Sequence, residues 1–458
     1  MNVKTKIKYE IKETISSSSI HSFPNIVQNR FKSIKILWIF CFLSSSAICA
    51  YFITTTLSEY LKYDVVSKST IKYVPKIDFP IISICDSTAF TTEYSTKFMI
   101  ENNNFDMNFS DFNFSKSASD IKYDFLAKRY MALVSVKSLN DSIRKKMGRD
   151  LDFILITCLF NVVVCNLKED FEYYYDVLYG NCFRYNSGRN MNGETIERKQ
   201  ITTNGILNGF QLELFVGKLD ENNNLFSIDN GINLFIEQQR IESQSSEGIR
   251  IAPGTKTFIS LSKYSMAHLP KPYSDCTAGL NQLESSDNIY FRNLIGNNLS
   301  YTEPLCRFNC FQKYLGDTCQ CQDLFTVPFY KHMPYCILDS NDTNCLITAF
   351  TNFSKLGLFQ DCNCPVRCEN NFYSFKLSNS EYPTRFYAEF LSKNKNLTQK
   401  YNFSNEFNFD EYKHKLAEIN IFYDELKETI VEHYPKMTEV DLISNIGGTL
   451  GDFYLQMS

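Results

Sequence analysis

Cysteine is the residue type whose number and spacing could do chemistry here. Sixteen cysteines occur in the 458 residues, and ten of them lie between Cys276 and Cys368. The run from Cys306 to Cys368 reads C-x3-C-x8-C-x-C, a spacer, then C-x8-C-x16-C-x-C-x3-C. Thiols at this density either oxidise to disulfides or bind metal as thiolates. Zinc takes clusters of four thiolate or imidazole ligands, which fits ten nested cysteines poorly, so oxidation is the stronger reading. Cys306 and Cys310, four apart, share one face of a helix and are separated by about 6 Å of axial rise. Cys362 and Cys364, two apart, share one face of a strand and are separated by about 6.6 Å. Pairing Cys306 with Cys364 and Cys310 with Cys362 in antiparallel order therefore matches rung for rung. The same nesting pairs Cys321 with Cys336 and Cys319 with Cys345, leaving Cys276 for Cys368.

Other chemistry has little support. The five histidines (His21, His268, His332, His414 and His433) fall in no motif, and Asp424-Glu425 reads as solvated charge, not a carboxylate dyad. No catalytic residue, metal site or cofactor is expected. A net charge of −4 provides no field for nucleic acid.

The element that positions the cysteines is an apolar run. Ile36 to Ser58 contains no charged residue over 23 positions, and about twenty helical residues cross a bilayer. A buried core helix would rarely need such a length, and a signal peptide would begin earlier. Lys4, Lys6, Lys8, Lys12, Arg30, Lys32 and Lys35 precede the run, which places the N-terminus in the cytoplasm. Trp38 marks that interface. Cys41 and Cys49 lie inside the run and the other fourteen cysteines follow it, as expected of a chain that faces an oxidising space afterwards. Eight sequons follow it too, at Asn108, Asn113, Asn140, Asn298, Asn341, Asn352, Asn396 and Asn402. In an Asn-rich chain they support the topology only weakly.

Further along, Asp78 to Cys85 reads as a buried strand opened by Pro80, and residues 100–150 as a partly helical peripheral region. Phe153 to Leu167 is uncharged but short for a second span. Cys158 and Cys165 make a disulfide-closed hairpin the better reading. Phe210 to Val216 alternates with period two, as a half-buried strand does. Phe258 to Leu261, entered through Pro253-Gly254, and Leu416 to Tyr423 are further strands. These strands suggest one mixed α/β body with insertions. Near the end, Gly447, Gly448 and Gly451 would let helix backbones approach closely, whereas Leu442 to Ser458 is too short to span alone.

Taken in order, these landmarks resemble the epithelial sodium channel, degenerin and acid-sensing channel family. The matching stretches are Phe79-Pro80…Cys85; Cys158…Cys165…Asp170-Phe171; Gly180-Asn-Cys-Phe-Arg-Tyr-Asn186; and Leu269-Pro-Lys-Pro-Tyr-Ser-Asp-Cys276. Cys306 to Cys321, Cys362-Asn-Cys-Pro-Val-Arg-Cys368 with Tyr373 and Pro383, and Asp441-Leu-Ile-Ser-Asn-Ile-Gly-Gly-Thr-Leu-Gly451 complete the set, which runs from about residue 18 to residue 451. The resemblance implies two further pairs, Cys85 with Cys182 and Cys158 with Cys165. It implies a membrane protein with a large disulfide-rich α/β extracellular domain of palm, thumb, finger, knuckle and β-ball. Its segments would be a cytoplasmic tail (1–33), a first transmembrane helix (34–58), the extracellular domain (59–440) and the start of a second transmembrane helix (441–458). It also implies a plasma-membrane, sodium-permeable, amiloride-sensitive trimer of identical or homologous subunits in lipid, with the Gly447, Gly448 and Gly451 segment at the pore entrance.

Three departures shape the expectation. The family's cytoplasmic His-Gly gating pair stands here as His21-Ser22, its Trp-Pro as Tyr382-Pro383, and no Gly-x-Ser filter follows Gly451. The chain therefore reads as truncated inside its second helix and non-conducting alone. The alternative is a single-pass cysteine-rich surface receptor, or a modulator of full-length channel subunits.

Overall fold

A computed structural model describes residues 22–103, 117–217, 227–238, 248–277, 288–297, 299–337, 340–355, 357–358 and 361–457, with positions 7, 10, 13 and 14. The chain divides into two compact units. One comprises Met1–Lys68, His268–Asp275 and Glu432–Ser458; the other comprises Ser69–Ala267 and Cys276–Val431.

Among the described residues the strands are β1 (Val65–Tyr73), β2 (Ile77–Asp78), β3 (Ile81–Asp86), β4 (Leu155–Phe160), β5 (Val163–Val164), β6 (Phe171–Asp176) and β7 (Gly180–Tyr185). There follow β8 (Gln200–Ile201), β9 (Phe210–Phe215), β10 (Ile232–Glu237), β11 (Ile249–Ile251), β12 (Thr255–Ala267), β13 (Glu369–Glu381) and β14 (Leu416–Pro435). They form a sheet in the order β13-β12-β14-β9-β4-β5, with β1 also on β14, a second sheet β11-β10-β3-β7-β6, and the β2-β8 pair.

The core of the larger unit lies where β3, β7, β9 and β14 bring their apolar residues together. Ile82, Ile84, Tyr185, Phe210, Leu212, Ile419 and Tyr423 are all fully buried there. Tyr185 stacks on Phe210 with ring centroids 4.1 Å apart. The Gly180–Asn186 motif serves this core. Gly180 turns the β6–β7 hairpin at φ +75°, and a Cβ there would lie 2.7 Å from the Ala89 Cα. Asn186 donates its side-chain amide to the Phe79 carbonyl at 2.6 Å, fixing the strand entry beside Pro80.

Three sequence expectations are corrected. Cys362 and Cys364 do not lie on a strand: residues 361–366 are turn and irregular backbone, and Asn363 between them is left-handed at φ +46°. Phe210 to Phe215 is not half-buried, since every residue but Gln211 is buried. Its outer face is covered by Tyr382, Ala388, Leu391 and Tyr401, which pack around Phe215. The strands begun at Phe258 and Leu416 also run well past Leu261 and Tyr423: the first is paired along its length with β13, and the second with β9, β12 and β1, all remote in sequence.

Candidate functional site

In the smaller unit, the helix Lys32–Tyr60 contains 29 residues, none of them buried. It is long and apolar enough to cross a membrane. Cys41 and Cys49 within it are free thiols. The helix Glu439–Met457 starts on a reciprocal cap. Thr438 Oγ1 accepts from the Asp441 amide at 3.2 Å, and Asp441 Oδ2 accepts from the Thr438 amide at 2.9 Å. Just before it, the Lys436 amide donates to the Asp64 carbonyl at 2.9 Å. Tyr63 at the end of the first helix meets Tyr273 edge-on at 5.5 Å.

Two stripes divide this last helix. Leu442, Ile446, Thr449 and Phe453 are partly covered, and Phe453 lies 6.4 Å from Phe42 of the first helix. Val440, Ile443, Gly447, Gly451 and Leu455, spaced three or four apart, are all exposed. A Cβ added at Gly447, Gly448 or Gly451 would meet nothing within 4 Å. Of the expected gating pair, His21 lies outside the described residues. Ser22 opens the helix Ser22–Gln28.

The larger unit carries the cystines. Cys306 and Cys310 project from the helix Glu303–Cys319 and are joined to Cys364 and Cys362, each pair with Cα atoms 5.8 Å apart. Cys319–Cys345, Cys321–Cys336 and Cys276–Cys368 complete this group. Cys85 and Cys182 face each other across β3 and β7, and Cys158–Cys165 closes the β4–β5 hairpin. The unwound Cys362–Cys364 segment still meets the helix, because its left-handed Asn363 allows two successive thiols to turn toward the same helix face. Of the sequons, Asn140, Asn352, Asn396 and Asn402 are exposed. Asn108, Asn113 and Asn298 lie outside the described residues, as does the side chain of Asn341.

Two constellations were missed by sequence reasoning. Glu213 on β9 is buried and accepts a hydrogen bond from the Tyr382 hydroxyl. Burial pushes its carboxyl above the usual range. It lines a cavity of about 650 Å³ with Tyr387, Lys400 and Glu418. The one sequence sign was Phe215, an aromatic on the otherwise polar side of that strand. The other constellation is His268 with His433, whose Nδ1 atoms are 3.3 Å apart. Burial and the facing imidazole hold His268 below the ordinary histidine range. Their 165-residue separation hides this pair from any local pattern.

A helix long and apolar enough to cross a membrane, joined to a domain with seven disulfides among the described residues, is the architecture of a membrane protein with a large disulfide-rich domain. Residues 14–454 match the family model described as amiloride-sensitive sodium channel, and the chain belongs to that family. Among curated relatives, acid-sensing ion channel 1 of Gallus gallus is 25% identical over 456 residues, covering 96% of this chain and 79% of the relative. The bile acid-sensitive ion channel of Mus musculus is 24% identical, covering 95% and 83%. The epithelial sodium channel subunit gamma-2 of Xenopus laevis is 26% identical over 338 residues, covering 70% and 46%. Membership in a family of ion channels also bears out the reading that the chain is not an enzyme.

Proposed function

We propose that this chain is a subunit of a trimeric, sodium-permeable, amiloride-sensitive cation channel of the plasma membrane. Its partners are two identical or homologous subunits and the surrounding lipid. The observation that carries the reading is the open Gly447–Gly451 stripe. Glycine inside a helix costs roughly 1 kcal/mol relative to alanine, and among the described residues no contact offsets that at these three positions. Close approach of a neighbouring helix does, and closed three-fold symmetry sets such a stripe around an axis. The stripe is then the pore entrance and lies at the start of a second span (441–458). Residues 34–58 form the first span, 1–33 with His21 and Ser22 the cytoplasmic gating segment, and 59–440 the extracellular domain. The exposed sequons carry glycans on that side.

The test separates assembly from folding. Gly447→Leu and Gly451→Leu add side chains where the isolated chain has space, so the monomer keeps its fold. Subunit counting by single-molecule photobleaching in membranes should show three copies for the wild type and fewer for each variant. Wild-type monomers, or variants that assemble unchanged, overturn the reading. Expressed beside a homologous channel subunit, the chain should alter that subunit's amiloride-blocked sodium current. A current identical with and without this chain counts against its being a subunit.

A further inference from the structure

His268 directly follows β12, and His433 lies in β14 two residues before its end at Pro435. Both are partly buried, so neither ring is sealed from solvent. Their rings stand nearly perpendicular, at 85° with centroids 4.6 Å apart, and the two Nδ1 atoms face each other at 3.3 Å.

Without an ion, one Nδ1–H donates across this distance to the bare Nδ1 of the other ring, the tautomers deciding which. The same separation suits a different bond. Two nitrogens each about 2.0–2.1 Å from a tetrahedral Zn²⁺ lie about 3.3 Å apart. With an ion between them both Nδ1 lone pairs are used and neither carries a proton. Imidazole is a ligand of choice for zinc, copper and nickel. The strand that bears His433 and the strand end beside His268 fix both backbones before any ion arrives.

We propose that His268 and His433 form a binding site for a divalent transition metal, with Zn²⁺ as the best fit. Among the described residues no group of three or more His, Cys, Asp and Glu side chains suited to a metal occurs, so water completes the shell. An open shell of this kind makes an exchangeable site, unlike the closed four-ligand shell of a structural zinc. Its place in the unit gives it a consequence. β14 ends at Pro435 just before the helix Glu439–Met457, and His268 heads the segment His268–Asp275, whose Tyr273 packs on Tyr63. A bridging ion ties that segment to the chain entering the last helix. The site goes beyond the channel reading and does not depend on it.

The test uses the full chain purified in detergent and titrated with ZnCl₂ against a chromophoric zinc indicator. His268→Gln and His433→Gln should each weaken zinc binding by at least about tenfold, since loss of a residue that merely supports a ligand already costs about 10–100-fold. The double variant should lose little more than either single one, because the ion is shared. Unchanged size-exclusion elution and circular dichroism show that each variant is folded. With Cu²⁺ as a second probe, electron paramagnetic resonance should show coupling to two ring nitrogens in the wild type and to fewer in each variant. A double variant that binds zinc as the wild type does overturns the proposal. So does a wild type that binds none at millimolar ZnCl₂, or two single losses that simply add.

Discussion

The segment from Glu303 to Cys368 and the sheet core around Phe210 belong to the same unit but are held by different forces. In the first, Cys310, Cys321, Cys336 and Cys362 share a small buried cluster with Phe311, Leu315, Ala349 and Phe353. In the second, aromatic and branched side chains from β3, β7, β9 and β14 pack together, with Cys158 the one buried cysteine of that cluster among the described residues, while the Cys85–Cys182 disulfide links β3 to β7 beside it. A segment with so little apolar area gains much of its stability from cross-links that restrict its unfolded chain. The sheet gains its own from area removed from water. In each region one acid titrates above its ordinary range. Burial raises Asp323 to about 6 and moves Glu213 in the same direction.

The contrast can be broken most directly in the sheet. Phe210→Ala removes a ring stacked on Tyr185 and should cost about 3–5 kcal/mol. The loss should be of similar size with and without reductant in denaturant melts. Replacing Cys310 and Cys362 together by Ala opens a loop of sequence separation 52 and should cost about 2–5 kcal/mol. Hydrogen exchange should place that loss in residues 303–368 while β9 and β14 stay protected. Equal deprotection of both regions would show that the cross-links brace the whole unit and remove the distinction.

These acids sharpen the comparison with a smaller effect. A folded-state pKa above the unfolded value means that the folded protein holds the proton more tightly. For Asp323 the stabilisation is full below its ordinary value of 3.8 and is lost as pH rises through about 6. Wild-type melting temperature should therefore rise when pH is lowered from 7 to 5, and Asp323→Asn should flatten that rise. Glu213→Gln should act with the same sign, its amide oxygen still accepting from Tyr382. A melting temperature that falls on acidification in the wild type and not in these variants contradicts both shifts. The smallest effect is expected at Lys313, whose ammonium meets Asp317 one helical turn away at 2.6 Å on a solvated surface. Lys313→Ala should move stability by no more than about 0.5 kcal/mol.

Much of the scaffold was legible because it is encoded locally. A charge-free run of membrane length is visible in a single window, and the Glu303–Cys319 helix shows its Cys306 and Cys310 face by their spacing alone. The pairing of these cysteines with Cys364 and Cys362 followed from matched rung heights, although the second side is an unwound loop and not a strand. The candidate pore stripe was legible as three glycines. Its division into one covered and one open face was not, because that requires knowing which side the first helix occupies.

The sequence by itself determined the class of molecule, since a charge-free run of membrane length and the cysteine spacing are properties of neighbouring residues. Only the tertiary structure decided that Glu213 is buried against Tyr382 and that His268 meets His433. Those encounters join residues more than 150 positions apart. They depend on the order in which strands enter the sheet, and no local periodicity specifies that order.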